Sequence, residues 1–158
     1  MVCKLAVIAL ACCTALAAQT TPPSQMLDHA LMHAKGEQLL NKARIAPEGI
    51  AFEILLTRDD GNIQMAARVK SGQGEWHHDY ADVLIGVEGN AEIVTGGEVV
   101  NGKETQPGEI RGDSIQGGKK QPFGPGDIIR IEPQTAHQML MTPGTTMRYM
   151  AVKIHITK

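Results

Sequence analysis

Two histidines and several carboxylates lie close together in one short segment of the chain, between residues 75 and 82. Alternate residues of a strand share a face, so Glu75 and His77 would project to one side of a strand here. Trp76 and His78 would project to the other side. Carboxylate and imidazole groups can bind a divalent metal ion, or can transfer protons to and from a substrate. An isolated histidine pair of this kind would more simply be a polar strand end, with one ring exposed and the other hydrogen-bonded.

Two longer patterns give these residues a context. In the first, six residues separate Asp82, which follows the histidines, from Gly89. The second is Pro125-Gly126-Asp127, then the apolar run from Ile128 to Ile131, a turn containing proline, and His137. In this order the two patterns resemble the two halves of the cupin motif. The resemblance spans roughly residues 50 to 155.

The cupin resemblance implies a fold class and a set of ligands. The fold class is all-β, a double-stranded β-helix or jelly-roll barrel, here with a short N-terminal helical extension. The spacing to Asp82 allows either His77 or His78 to be the second histidine of the motif. We favour His77, because Glu75 then takes the place of the first histidine. The implied metal ligands are therefore Glu75, His77, Asp82 and His137.

This ligand set departs from the motif in two places, with Glu75 for a histidine and Asp82 for a glutamate. Two carboxylates and two imidazoles suit a divalent transition metal, namely Mn, Fe, Ni, Zn or Co, and do not select among them. The departures leave open whether a metal is bound at all. Glu75 is also the candidate catalytic base, with Glu132 as a second carboxylate near the expected barrel mouth.

The resemblance implies that the protein is a metal-dependent enzyme acting on a small organic molecule. Dioxygenase, decarboxylase, lyase and isomerase reactions all occur on this fold, so the fold alone does not select one of them. The alternative is a non-catalytic barrel that binds a small ligand without metal. His77, Asp82 and His137 would then serve as hydrogen-bonding groups.

The start of the chain is typical of a secretory signal peptide. Residues 1–18 contain Lys4, an apolar run from Leu5 to Ala11, and the small-x-small tripeptide Ala15-Leu16-Ala17. The apolar part is shorter than the roughly 20 residues that span a bilayer. The sequence therefore predicts a secreted or periplasmic protein with no membrane span in the mature chain. The three cysteines, Cys3, Cys12 and Cys13, would all be removed.

Composition argues against nucleic acid as a partner. Removing the single charge of Lys4 lowers the formal net charge from −2 to −3, and aromatic residues are only 3% of the chain. Without a basic stripe or aromatic platforms, nucleic-acid binding is not expected. The expected partner is a small molecule, and a homodimer is compatible with an apolar face on the N-terminal extension.

The chain is expected to contain a helical extension at residues 19–47 and a barrel domain at residues 48–158. Ser24 is the predicted N-cap of the helix, and Gly36 is predicted to break it into two pieces. The helix is predicted to end near Arg44 and Pro47. Its predicted apolar face consists of Leu27, Ala30, Leu31 and Ala34.

Short β-rich runs separated by turn residues follow from Ile50 onward. The predicted strands are Ile50 to Thr57, Ile63 to Lys70, Glu75 to His78, Asp82 to Glu88, Ala91 to Thr95, Ile128 to Glu132, His137 to Met141 and Met147 to Ile156. The glycine-rich stretch from Val99 to Gln121 is predicted to be a long loop, either a lid over the barrel mouth or a surface hairpin.

Overall fold

The computed structural model describes residues 24–156, so the predicted signal peptide at residues 1–18 lies outside the described residues. Over residues 24–156 the chain forms one α-helix and thirteen strands. They are α1 (His29–Ile45), β1 (Ile50–Arg58), β2 (Gly61–Arg68), β3 (Gly74–His77), β4 (Tyr80–Gly89), β5 (Ala91–Thr95), β6 (Glu98–Val100), β7 (Lys103–Gln106), β8 (Glu109–Gly112), β9 (Ser114–Gln116), β10 (Lys119–Phe123), β11 (Ile128–Ile131), β12 (His137–Leu140) and β13 (Met147–His155). No helix within this range is long and apolar enough to cross a membrane.

The strands form two main antiparallel sheets and one small one. The first sheet has five strands in the order β1-β2-β13-β4-β11, and the second has six in the order β10-β5-β12-β3-β8-β7. Strands β6 and β9 form the third sheet. The main apolar core joins side chains of both large sheets, such as Leu84 and Tyr149 from the first and Ile93 and Met139 from the second. The prediction of an all-β barrel with a helical extension is confirmed.

Two glycines of the first sequence pattern are required by close backbone approach. Gly89 ends β4 at a φ of 87°, and a Cβ atom there would lie 1.9 Å from the carbonyl oxygen of Thr146. A Cβ atom at Gly86 would lie 1.9 Å from the carbonyl oxygen of Gly124. Glycine is needed at both positions because no side chain fits between the strand and the neighbouring backbone.

The eight predicted strands are all present, with ends that differ by no more than two residues from the prediction. The predicted loop from Val99 to Gln121 is wrong, because this stretch contains most of β6 and β10 and all of β7, β8 and β9. These strands are three to five residues long, and β7 is exposed throughout. Exposed strands that short lack the apolar alternation by which strands are recognised in a sequence.

The N-terminal helix is continuous, so the predicted break at Gly36 is wrong. The helix begins at His29, and its N-cap is Asp28, whose side chain accepts a 2.8 Å hydrogen bond from the backbone N–H of Leu31. The predicted cap at Ser24 is therefore also wrong. Aspartate and serine are both good N-caps, and the choice between them depends on where the helix meets the sheet.

The helix packs on the outer side of the five-stranded sheet, against β1 and β2. Its buried residues are Met32, Gly36, Leu39, Leu40 and Ala43, and they form a second apolar cluster with Met65 and Ala67 of β2. The predicted apolar face is wrong in its main part. Leu27 packs against this cluster, whereas Leu31 is 43% exposed.

Replacing Gly36 with leucine is expected to destabilise the protein. A Cβ atom at Gly36 would lie 2.8 Å from Met65 Cε and 3.1 Å from Arg148 Cδ, so a larger side chain must displace these two buried side chains or move the helix away from the sheet. Overpacking of this kind costs about 1–3 kcal/mol, and the better helix propensity of leucine offsets at most about 1 kcal/mol. Urea unfolding measures the change, with the exposed Ala34→Leu as the matched control on the same helix. A Gly36→Leu protein as stable as the control would contradict this packing.

Candidate active site

Three strands bring the four predicted ligands together on the inside of the barrel. Glu75 and His77 come from β3, and His137 on β12 pairs directly with Glu75 across the two strands. Asp82 lies on β4, and its cross-strand partner is Lys153 on β13. The turn before β12 is tied to β3, because the backbone N–H of Gln134 donates a 2.7 Å hydrogen bond to the carbonyl oxygen of His77.

The two adjacent histidines of β3 have different surroundings. The His77 side chain is only 2% exposed, and its ring centroid lies 5.1 Å from that of His137. The His78 side chain is 52% exposed and pairs with Asp79 at the surface. Trp76 lies on the outer side of the six-stranded sheet, where it lines a separate cavity with Val99. Of the two histidines, His77 is therefore the one that lies beside the other predicted ligands.

The polar atoms of the four predicted ligands converge on one point. Asp82 Oδ2 lies 3.3 Å from His77 Nε2 and 3.5 Å from His137 Nε2. Glu75 Oε2 lies 3.8 Å from each of the same two nitrogens. All four atoms are hydrogen-bond acceptors when the imidazoles are neutral with their protons on Nδ1.

The other nitrogen of each ring is held by an acceptor, which fixes the ring orientation. His77 Nδ1 lies 2.5 Å from Glu109 Oε2, and a carboxylate can only accept, so Nδ1 carries the proton. His137 Nδ1 donates to the carbonyl oxygen of Thr135 at 3.0 Å. Both rings therefore direct Nε2 toward Asp82 and Glu75. Partners of this kind also orient histidines that bind metals in proteins.

Lys153 is a member of the site that the sequence analysis missed. Its Nζ donates to both carboxylate oxygens of Asp82, at 2.8 and 3.1 Å, and lies 3.1 Å from His77 Nε2. The signal in the sequence was weak, because Lys153 is one of two charged residues in the last strand, with Arg148. Lys153 could not be linked to Asp82 from the sequence, because 71 residues separate the two positions.

Three further polar residues surround Glu75, and they were also missed. The Glu75 carboxylate forms a salt bridge with Arg111 and lies 3.8 Å from Arg68 Nη2. Arg68 Nε in turn donates a 3.2 Å hydrogen bond to the phenol oxygen of Tyr149. Tyr149 is buried, and burial raises the pKa of its phenol.

Charge interactions within the site change two pKa values. Burial opposes the ionisation of Asp82, but hydrogen bonding to His137 and the ammonium of Lys153 outweigh it and hold the pKa of Asp82 well below its usual range. Burial likewise opposes the charging of His137, but Asp82 and Glu75 outweigh it and raise the pKa of His137. The site therefore keeps Asp82 as a carboxylate and favours a cation beside it.

A cavity of about 220 Å³ lies against these residues. Its lining contains three cationic side chains and two carboxylates, together with His137. The cations are Arg68, Arg111 and Lys153, and the carboxylates are Glu75 and Asp82. Apolar side chains such as Phe52, Leu84 and Met139 complete the wall. A second cavity of about 640 Å³ shares Gln64, Arg111 and Lys153 with the first and is bounded by the turn between β7 and β8. The barrel interior thus offers a small, mixed polar and apolar chamber beside a larger groove.

Glu132, the second candidate base in the sequence analysis, does not reach this cavity. Its side chain is 61% exposed and pairs with Arg130, with 2.6 Å between Arg130 Nε and Glu132 Oε1. It is therefore a surface ion pair. Met141, four residues after His137, is buried in the main apolar core.

The donor atoms could hold a metal ion, but the charges around them do not fit one. Suitable atoms of Glu75, His77 and His137 lie within 4.8 Å of one another, which is a plausible three-ligand arrangement. Asp82, the fourth predicted ligand, is already bonded to Lys153. An ammonium group in contact with His77 Nε2 competes with a metal for the same lone pair.

Comparison with solved structures identifies the fold. A predicted oxalate decarboxylase from Thermotoga maritima is 15% identical, with a TM-score of 0.50 over 68% of this chain and 81% of that chain. Pac13, a nucleoside dehydratase from Streptomyces, is 10% identical, with a TM-score of 0.50 over 72% of this chain and 76% of that chain. The polyketide cyclase RemF from Streptomyces resistomycificus is 18% identical, with a TM-score of 0.49 over 69% of this chain and 66% of that chain.

No protein-family model matches this sequence, and no curated protein matches it either. The chain spans about two thirds of the length of RemF. At these identities the structural likeness establishes the architecture rather than the activity. The two antiparallel sheets, the two sequence patterns and the two neighbours with a TM-score of 0.50 agree, and the chain has the cupin fold, a double-stranded β-helix.

Proposed function

We propose that this protein is an enzyme that acts on a small organic molecule inside the barrel. The observation that carries the proposal is the placement of Glu75 and His137 side by side on the cavity wall, with 3.8 Å between Glu75 Oε2 and His137 Nε2. The cavity volume of about 220 Å³ lies below the roughly 300–1,000 Å³ of drug-sized pockets, so the substrate is small. Solved cupin-fold neighbours include a nucleoside dehydratase, which supports small-molecule chemistry on this architecture.

The arrangement supports acid–base chemistry. The Glu75 carboxylate can accept a proton from one atom of a bound molecule, and His137 Nε2 can return a proton to a second atom. Thr135 holds the other nitrogen of His137, so the ring presents Nε2 to the cavity. Of the reaction classes that the cupin resemblance implies, lyase and isomerase reactions use such a pair. An isomerase moves a proton between two positions of the substrate, and an eliminating lyase removes a proton from carbon and protonates the leaving group as its bond breaks.

The charge of the cavity wall favours an anionic substrate. The wall carries three permanent cations, Arg68, Arg111 and Lys153, and two carboxylates, Glu75 and Asp82. A third carboxylate, Glu109, balances the charge of the whole site, but it faces His77 Nδ1 and does not line this cavity. A carboxylate or phosphate group is therefore attracted, and guanidinium groups bind either one through paired hydrogen bonds. The side chain of Arg111 is 32% exposed and Arg68 is 8% exposed, so Arg111 is the first of the two that an entering anion would meet.

A ligand screen followed by a turnover assay tests this proposal. The purified protein is heated in EDTA with a panel of small hydroxy acids, keto acids, sugar phosphates and nucleosides, and its melting temperature is recorded. We expect stabilisation by one anionic class, and binding at 100 times Kd adds about 2.7 kcal/mol. Proton NMR then detects conversion of that compound. Stabilisation without conversion would support the non-catalytic binding barrel, and the absence of any stabilising anion would contradict the proposal.

A metal-dependent enzyme is the second candidate function, and the triad of Glu75, His77 and His137 favours it. A divalent transition metal held there, whether Mn, Fe, Ni, Zn or Co, would polarise a bound carbonyl or activate dioxygen. Elemental analysis of protein purified without chelator and without a histidine tag separates the two candidates. Stoichiometric metal that disappears in a His77→Ala/His137→Ala variant would favour the metal-dependent enzyme.

We also infer that the protein is exported, on the evidence of the signal-peptide pattern at residues 1–18. Mass spectrometry of the protein from the envelope and medium fractions of an expressing bacterium is expected to show cleavage after Ala17 or Ala18. The processed protein should have no titratable thiol, because all three cysteines precede the cleavage site. Full-length protein confined to the cytoplasmic fraction would contradict the inference.

A further inference from the structure

The centre of the site requires a cation. His77 Nε2, His137 Nε2, Asp82 Oδ2 and Glu75 Oε2 face one another at distances of 3.3 to 3.8 Å. The acceptors Glu109 and Thr135 take the Nδ1 protons of the two rings, so neutral rings present lone pairs to the carboxylates. When both rings are neutral these four acceptors repel one another, unless a cation or a proton on His137 Nε2 lies between them.

Lys153 supplies that cation from within the chain. Its Nζ contacts both oxygens of Asp82 and lies 3.1 Å from His77 Nε2. Strand pairing holds it in place, because Lys153 is the direct cross-strand partner of Asp82 in the β4–β13 register. The lysine side chain is 18% exposed and the aspartate side chain 7%, so the pair is shielded from water and salt.

The charges of the site already balance with Lys153 in place. Among the described residues around this point, the cations Arg68, Arg111 and Lys153 stand against the carboxylates Glu75, Asp82 and Glu109. A divalent ion would add two positive charges to this balanced set. It would also need the lone pair of His77 Nε2, which faces the Lys153 ammonium.

We propose that Lys153 is a built-in cation that takes the place of a divalent metal in this barrel, so that the wild-type site excludes transition metals. Metal and Lys153 are mutually exclusive ligands of His77 and Asp82. Without the lysine, two imidazoles and two carboxylates remain around a vacant cation position, a donor set that Zn²⁺ and Co²⁺ bind well. The inference concerns the same residues as the proposed enzyme, but its test measures metal and not turnover, so the two can fail separately.

The test compares metal uptake by the wild type and by Lys153→Met, both without a histidine tag. Each protein is incubated with excess Co²⁺ or Zn²⁺, desalted and analysed for metal, and the Co²⁺ absorption spectrum reports the ligand geometry. We expect the wild type to retain little metal and Lys153→Met to retain about one ion per chain. Removal of a unit charge about 4 Å from the ion should tighten binding by at least roughly 100-fold.

Three further variants serve as controls. Lys120→Met makes the same change at an exposed lysine of β10 and is expected to behave as the wild type does. Lys153→Gln keeps an N–H donor for Asp82 but has no charge, and it is expected to take up metal as Lys153→Met does. Adding His77→Ala to Lys153→Met should abolish the uptake, since it removes a ligand.

Several results would overturn the proposal. Stoichiometric metal in the wild type would show that Lys153 does not exclude it. Folded Lys153→Met and Lys153→Gln proteins that bind no metal would show that the lysine is not what keeps metal out, as would uptake that survives His77→Ala. If the Lys153 variants are unfolded without metal, circular dichroism should show that Co²⁺ restores their structure, and a failure to do so would count against the proposal.

Discussion

Glu75→Gln is expected to lower kcat for the substrate found in the ligand screen by about 10²- to 10⁴-fold, the usual contribution of a general acid–base group. Glutamine keeps the size of the side chain and can still face Arg68 and Arg111, but it cannot accept the proton. Because the change affects the transition state more than ground-state binding, KM should change much less than kcat. Steady-state kinetics on the purified variant measures both.

Glu132→Gln is the matched control for this experiment. Glu132 is an exposed glutamate paired with Arg130, so its replacement should leave kcat and KM at wild-type values. If the Glu75→Gln enzyme keeps full kcat, Glu75 takes no part in the chemical step. A rise in KM at constant kcat would instead assign Glu75 a role in substrate binding alone.

Asp82→Leu is expected to cause the largest loss of stability, about 3–5 kcal/mol, because it leaves the ammonium of Lys153 without its partner in a shielded site. Leucine has the branching of aspartate, so the change removes charge more than it changes shape. The expected loss is a large part of the roughly 5–15 kcal/mol by which domains are stable. Urea unfolding monitored by circular dichroism measures it.

The double variant Asp82→Leu/Lys153→Met shows whether the loss comes from charge. When both members of a buried ion pair become apolar, stability often returns close to the wild-type value. We therefore expect the double variant to be more stable than Asp82→Leu alone, with a coupling energy of about 1–3 kcal/mol between the two positions. Additive effects of the two single changes would mean that Lys153 escapes to solvent in Asp82→Leu and that the pair contributes little.

The barrel strands could be predicted because their side chains alternate and because glycine and proline mark the turns between them. Ala91–Thr95 was predicted with both ends correct. Strands β6 to β9 were missed because glycine-rich turns separate very short runs, and their pairing is set by tertiary contacts. For α1, Gly36 reads as a helix breaker in isolation, whereas in the fold the absence of a side chain there lets the helix approach β2.

For the site, the sequence predicted the carboxylates and histidines that come together, but not the cationic side chains that contact them. The alternation along β3 and the order of the two patterns placed Glu75, His77 and His137 in one group, and the structure brings them together. Lys153 and Arg68 were missed because their roles depend on strand register and on contacts over 71 and 81 residues. A single sequence does not show which strands pair or which residues face each other across them.

The position of β13 affects how the protein reaches its final structure. This last described strand lies in the middle of the five-stranded sheet, between β2 and β4. A nascent chain that has not yet released residues 147–155 cannot join those two strands, and it has neither Tyr149 nor Lys153 to complete the site. Because the missing contacts are far apart in sequence, closure of the sheet is expected to be a late and slow folding event. Until then the facing edges of β2 and β4 have no strand between them, and their backbone N–H and C=O groups are left to pair with water or with another chain.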